Sequence, residues 1–169
     1  METNIECHNA AFDDTLSGTT AITILVRGRF LHIANVGDSR AIICTAHSTD
    51  HSKVVAEPLS IDQTPFRKDE RERVKICGAR VLTIDQIEGI EPIHENWGTE
   101  LGKEIDEIGD PPRYRSTHTN HAYMPPLPPP PPPRLWNVTL DKPGTAFTRS
   151  IGDACAEAIG VFAEPEHLV

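Results

Sequence analysis

The chain has 169 residues, 16 Lys plus Arg against 25 Asp plus Glu, and a formal charge of −9. Nothing approaches the ~18 consecutive apolar residues of a membrane helix, and Met1-Glu2-Thr3-Asn4 lacks the basic end and apolar core of a signal peptide. An acidic chain also lacks the electrostatic footprint of a nucleic-acid binder, so the expectation is a cytoplasmic or nuclear protein with no membrane and no nucleic-acid partner.

The first third reads as β. Thr19 to Val26 is rich in β-branched residues and ends at the turn signal Arg27-Gly28. Phe30 to Val36 resumes the strand pattern, Gly37-Asp38 marks a second turn, and Arg40 to Cys44 predicts a third strand, together an antiparallel meander. Residues 45–57 are polar, and Leu59 to Ile61 is a candidate strand. The period then changes: Asp62-Gln63-Thr64-Pro65 predicts a helix start, with the helix continuing to Cys77 and Gly78 at its C-terminal end. Acid leads and Lys75 trails, as the helix dipole prefers. The charge run reads as the solvated face, with Val74 and Cys77 turned inward.

Pattern is lost between Thr83 and Pro143. Residues 84–110 hold nine carboxylates against Lys103 alone, which marks an acidic loop or partly ordered subdomain. Ten of the 15 prolines fall in 111–133, and Pro125 to Pro133 predicts a polyproline II rod within an insert. Beyond Leu135, Ala154 to Ile159 is a short helix candidate and Gly160 to Ala163 begins a strand.

Few residues announce chemistry. Cys7, Cys44, Cys77 and Cys155 stand more than thirty residues apart with no CxxC, against a zinc knot or disulfide framework. His47 and His51 beside Asp50 have chelating spacing but loop-like surroundings; His118 and His121 sit in the insert. Asn137-Val138-Thr139 is a glycosylation sequon without a secretory context. Three small-residue clusters are less ordinary: Ser17-Gly18-Thr19-Thr20, Gly37-Asp38-Ser39-Arg40 and Phe147 to Asp153. Asp38 at a hairpin tip could bind a hard cation, or Gly-Asp could simply be good turn chemistry. For Arg40 and Arg149, pairing with an acid is favoured over holding an anion, and Asp153 reads as a helix cap.

Taken in order, these clusters resemble a family. Ser17 to Ala21, Ala34 to Ala41, Leu59 to Pro65, Glu70 to Val74 with Gly78 to Val81, Thr148 to Asp153, and Gly160-Val161 with Ala163 to Glu166 look like successive motifs of the metal-dependent type 2C (PPM-type) protein Ser/Thr phosphatases. Six motifs in order are far more specific than any one. Asp62 to Arg67 is most similar to plant and algal members joined to cyclic-nucleotide-binding and kinase-like domains. The resemblance covers about 1–110 and 134–169, with 84–110 in the position of the family's variable flap and 111–133 as an insert.

The resemblance implies an α+β fold: part of an α-β-β-α layered sandwich, antiparallel sheets flanked by helices. It also implies hydrolysis of phosphoserine and phosphothreonine in phosphoprotein substrates by water activated on Mg²⁺ or Mn²⁺. The family draws its metal ligands from a Glu-Asp pair, an Asp-Gly-His-Gly stretch, Ser-Asp-Gly and Asp-Asn. None of these occurs here, nor does the family's upstream phosphate-gripping arginine. Asp38 alone carries over, as a ligand to an accessory metal; no catalytic residue does. The expectation is an interior fragment, truncated at both ends and inactive by itself. The alternative is a non-catalytic module presenting Pro125–Pro133 to a polyproline-binding partner.

Overall fold

The computed structural model describes residues 1–46, 54–94 and 131–169. In chain order the first elements are α1 (Glu2–His8), β1 (Gly18–Thr19), β2 (Ala21–Arg27), β3 (Phe30–Val36), β4 (Ile42–Ala46) and β5 (Val54–Pro58). They are followed by α2 (Lys68–Ile76), β6 (Arg80–Leu82), α3 (Ile84–Ile87), β7 (Arg134–Trp136), β8 (Pro143–Thr145), β9 (Ile151–Gly152), α4 (Ala154–Glu157) and β10 (Glu166–Leu168). Among the described residues this is a mixed α+β architecture with four small sheets, all their strand pairs antiparallel.

The β-branched run forms the expected hairpin, β2 on β3, in register from Ala21 opposite Val36 to Arg27 opposite Phe30. Gly28 at φ 63° makes the turn, in the left-handed region that glycine enters without a Cβ penalty. The predicted first strand is split at Thr20. Gly18–Thr19 leaves to pair with β9, while Ala21 onward pairs with β3. The opposite edge of β3 takes β10, giving the order β10-β3-β2.

Several boundaries move. The third strand begins at Ile42 rather than Arg40 and pairs with Val54–Pro58 instead of β3, so the expected meander ends at β3 and Asp38 lies on a link between two sheets rather than at a hairpin tip; Leu59 to Ile61 is not a strand. Gly160 to Ala163 makes only a single parallel bridge, Phe162 to Arg149, and the strand there is Glu166–Leu168. Within the acidic stretch, Ile84–Ile87 is helical, started by a capping box in which Thr83 and Gln86 satisfy each other's backbone N–H. Residues 95–110, the Pro-rich stretch up to Pro130, and His47, Asp50, His51, His118 and His121 lie outside the described residues.

The core gathers around α2. Val74, Leu135, Ala156 and Val161 are fully enclosed, joined by Ala79, Val81 and Ile159, with Phe147 packed against them. Burying Leu135 contributes about 1.5–3 kcal/mol, and a chain bend makes the enclosure possible. Gly78 adopts φ 96°, Ala79 N–H donates to Val74 O, and the chain folds straight back into β6. Cys77, expected inward, is exposed because the helix has already ended: it is the C-cap residue, three positions past Val74. The charged run is not uniformly solvated either, since Glu70 and Arg71 are buried. Among the described residues no helix is long and apolar enough to cross a membrane.

Candidate functional site

The Gly37-Asp38 turn is pinned at almost every residue except Asp38. Gly37 N–H donates to Gln63 Oε1 at 2.6 Å, and Gln63 N–H donates back to Gly37 O at 3.1 Å. Ser39 and Thr20 share a hydroxyl hydrogen bond of 2.7 Å. Arg40 forks onto Asp62, Nε to Oδ1 and Nη2 to Oδ2, both at 2.9 Å. Ala41 N–H donates to Ser60 Oγ at 3.0 Å and Ala41 O accepts from Leu59 N–H at 2.8 Å. Residues 59–63 therefore run alongside 37–41 as a splint, which explains why Leu59 to Ile61 forms no strand of its own. Gly37 is at φ 98°, and a Cβ there would overlap the Thr20 side chain. Asp38 itself is exposed, and its carboxylate takes no hydrogen bond or ion pair among the described residues.

Gln63 is fully buried and holds more than the turn. Its Nε2 donates to Asn35 O at 3.2 Å and reaches Glu166 Oε2 at 3.5 Å, while its carbonyl accepts from Thr148 N–H at 2.9 Å. The strand leading into the Asp38 turn and β10 thus meet at the Gln63 side-chain amide, and the Thr148–Asp153 segment joins them at the Gln63 backbone carbonyl.

That second segment is fixed from the other side by Glu70, 2% exposed. Its carboxylate accepts from Thr148 Oγ1 at 2.6 Å, Arg149 Nη2 at 2.7 Å and Arg73 Nη2 at 2.8 Å. Burial by itself would raise the Glu70 pKa; the hydrogen bonds from Arg149, Arg73 and Thr148 outweigh it and bring the pKa down to about 2. Arg73 also stacks over the Phe162 ring at 5.1 Å. Both expected arginine pairings therefore form: Arg40 on Asp62, Arg149 on Glu70.

Asp38 opens onto a cleft of about 420 Å³ shared with Leu16, Gly18, Arg134, Phe147 and Asp153. Asp153 is buried with φ 54°, and its Oδ2 accepts from Ser150 Oγ at 2.9 Å. It occupies the N-cap position of α4, but its carboxylate makes no capping hydrogen bond, contrary to the sequence reading. Gly18 accommodates it, because a Cβ at residue 18 would overlap Asp153 Oδ2 and Ser150 Oγ. A profile of the protein phosphatase 2C family matches residues 1–169, the whole sequence. This chain belongs to the protein phosphatase 2C family.

Among curated proteins, the Arabidopsis thaliana protein described as probable protein phosphatase 2C 35 is 48% identical over 167 residues, 98% of this chain and 40% of its own length. A rice protein, probable protein phosphatase 2C 73 of Oryza sativa subsp. japonica, is 30% identical over 158 residues, covering 94% of this chain and 27% of itself. The crystal structure of serine-threonine phosphatase 2C from Toxoplasma gondii superposes with a TM-score of 0.52 at 14% identity. That match covers 89% of this chain and 36% of the other, and it speaks to fold alone. The chain thus spans less than half the length of each of these relatives.

Protein phosphatase 2C chemistry is generally Mg²⁺- or Mn²⁺-dependent, and the described carboxylates meet that demand only in part. Asp38 is the right kind of ligand, a hard oxygen with no other partner among the described residues. The number is wrong. No group of three or more His, Cys, Asp or Glu that could hold a metal occurs among the described residues, and Asp153 is engaged by Ser150. These residues do not by themselves assemble a metal site. The sequence reading singled out Asp38 and missed Gln63, Glu70 and Arg134. Gln63 and Glu70 stood inside quoted motifs, but nothing local to either residue signals burial.

Proposed function

We propose that this chain is part of a protein Ser/Thr phosphatase acting on phosphoserine and phosphothreonine in phosphoproteins. Its small sheets would belong to the family's α-β-β-α sandwich. The observation that carries the reading is the Asp38 turn: a carboxylate without a partner among the described residues, on a turn whose other residues are tied down, opening on a cleft in a protein phosphatase 2C chain. Such rigidity suits a group that must meet a ligand in fixed geometry. Asp38 would supply one oxygen to an accessory Mg²⁺ or Mn²⁺. Its usual partner at that ion would be the aspartate of Ser-Asp-Gly, and the carboxylates for the two catalytic ions would come from the Glu-Asp, Asp-Gly-His-Gly, Ser-Asp-Gly and Asp-Asn segments, none of which this sequence has.

The test is phosphopeptide turnover with Mn²⁺, comparing the 169-residue chain with one extended by those four segments. The short chain is expected to show negligible turnover and the extended one to be active. Robust turnover by the short chain, retained in Asp38→Asn, overturns the reading. A polyproline-binding partner at Pro125–Pro133 is a separate proposal; equal partner recovery by the chain and by a 113–133 deletion removes it.

A further inference from the structure

Arg134 differs from the other arginines near the site. Arg40, Arg67, Arg73 and Arg149 each face a carboxylate at 2.6–2.9 Å. Arg134 faces none among the described residues. Its one side-chain hydrogen bond there runs from Nη1 to Gly144 O at 2.7 Å, and its Nε is buried with no acceptor. Thr145 Oγ1 is likewise buried and unpartnered. Both residues line the cleft onto which Asp38 opens, and among the described residues Arg134 is the only cationic one lining it.

The strand carrying Arg134 is held firmly. Leu135 is fully buried in the core, and Trp136 Nε1 donates to Leu82 O at 2.9 Å. Gly144 lets the hairpin close, since a Cβ there would stand 2.9 Å from the Trp136 ring. A guanidinium on a rigid strand, in no ion pair among the described residues and sharing its cleft with an orphaned hydroxyl, is a site for a compact anion with several acceptor oxygens.

We propose that Arg134 is the anion-holding residue of this cleft and takes the phosphoryl group of a phosphoserine or phosphothreonine side chain. A phosphoryl group offers three acceptor oxygens: one edge of the guanidinium takes two, and Thr145 Oγ1 is within the same cleft for the third. The role rests on the phosphatase reading above and extends it to substrate recognition by a residue just beyond the Pro-rich segment.

The test is an NMR titration of the ¹⁵N-labelled full chain, following arginine Nε–Hε signals. The probes are a phosphothreonine peptide, its unphosphorylated twin and inorganic phosphate. The Arg134 signal, identified by its loss in Arg134→Lys, is expected to shift with the phosphopeptide and with phosphate but not with the plain peptide. Arg134→Gln is expected to weaken phosphopeptide binding by about tenfold or more, and Arg134→Lys by several-fold, because an ammonium lacks the planar fork. Arg29→Gln, exposed on the β2–β3 turn and not among the residues lining this cleft, serves as the control and should leave binding unchanged. If wild type prefers the phosphopeptide but both Arg134 variants bind it equally well, the inference is overturned and the phosphatase reading stands. If wild type does not distinguish the two peptides, the inference falls together with the reading of the cleft. Should Arg134→Gln fail to fold by circular dichroism, Arg134→Lys decides: unchanged affinity overturns the proposal.

Discussion

Replacing Glu70 with Gln tests the linkage between α2 and the Thr148–Asp153 segment. The substitution keeps the shape of the side chain and removes its charge, leaving Arg73 and Arg149 facing a neutral amide. The folded-state pKa of Glu70 lies at about 2 against an ordinary 4.5. At 1.36 kcal/mol per unit, the ionised carboxylate is favoured in the fold by about 3 kcal/mol. Breaking a buried pair by removing one partner costs about 3–5 kcal/mol, in the same range. Because the folded pKa is depressed, this stability is fully present above pH 4.5 and is lost as pH falls through about 2. Urea unfolding followed by circular dichroism at a series of pH values reads both effects. Glu70→Gln should lower stability by about 3 kcal/mol at pH 7 and flatten the acid limb between pH 4.5 and 2. A variant within about 0.5 kcal/mol of wild type, with an unchanged acid limb, would refute the assignment of Glu70 as the charged centre of this link.

Two further outcomes follow from the same geometry. Gln63→Leu removes the acceptor of the buried Gly37 N–H and should cost about 1–3 kcal/mol by urea unfolding; a neutral effect would show that the turn holds without its splint. His8 is held by Glu157 at 3.1 Å and Asp14 at 2.5 Å, and these two acids raise its pKa above 6.5. Its contribution should be complete below pH 6.5 and fade as pH rises through the raised value. An NMR titration should show that value falling toward 6.5 in Glu157→Gln, and no change would break the assigned pairing.

What could be read from the sequence was what is local. The β2–β3 hairpin was visible because β-branched runs flank Arg27-Gly28, and α2 because acid leads and base trails before Gly78. The strand Val54–Pro58 escaped because all five residues are exposed and it pairs only with β4, so no buried alternation marks it. The Thr83-to-Gln86 capping box was present in the sequence and was passed over among the surrounding acids. β10 could not be seen locally, since its partner β3 lies more than a hundred residues earlier. Asp38 was picked out as a turn carboxylate, but its splint at 59–63 and its neighbours Arg134 and Asp153 depend on tertiary packing. Glu70 looked like one more exposed acid on a charged helix. Only the arrival of Arg149, 79 positions away, turns it into a buried centre.

The amide of Gln63 also has a kinetic meaning. The β2–β3 hairpin closes a two-residue loop, the kind of unit that forms in about 1–10 μs. The turn that follows it is locked only when Gln63 is in place, and Gln63 is itself held by Thr148 and reaches Glu166, 103 positions along the chain. Such long loops close late, because their entropy must be met before their contacts reward it. The Asp38 carboxylate, directly after the element that forms earliest, is therefore among the last to be fixed in position, and amide exchange at Gly37 should report completion of the fold rather than its beginning.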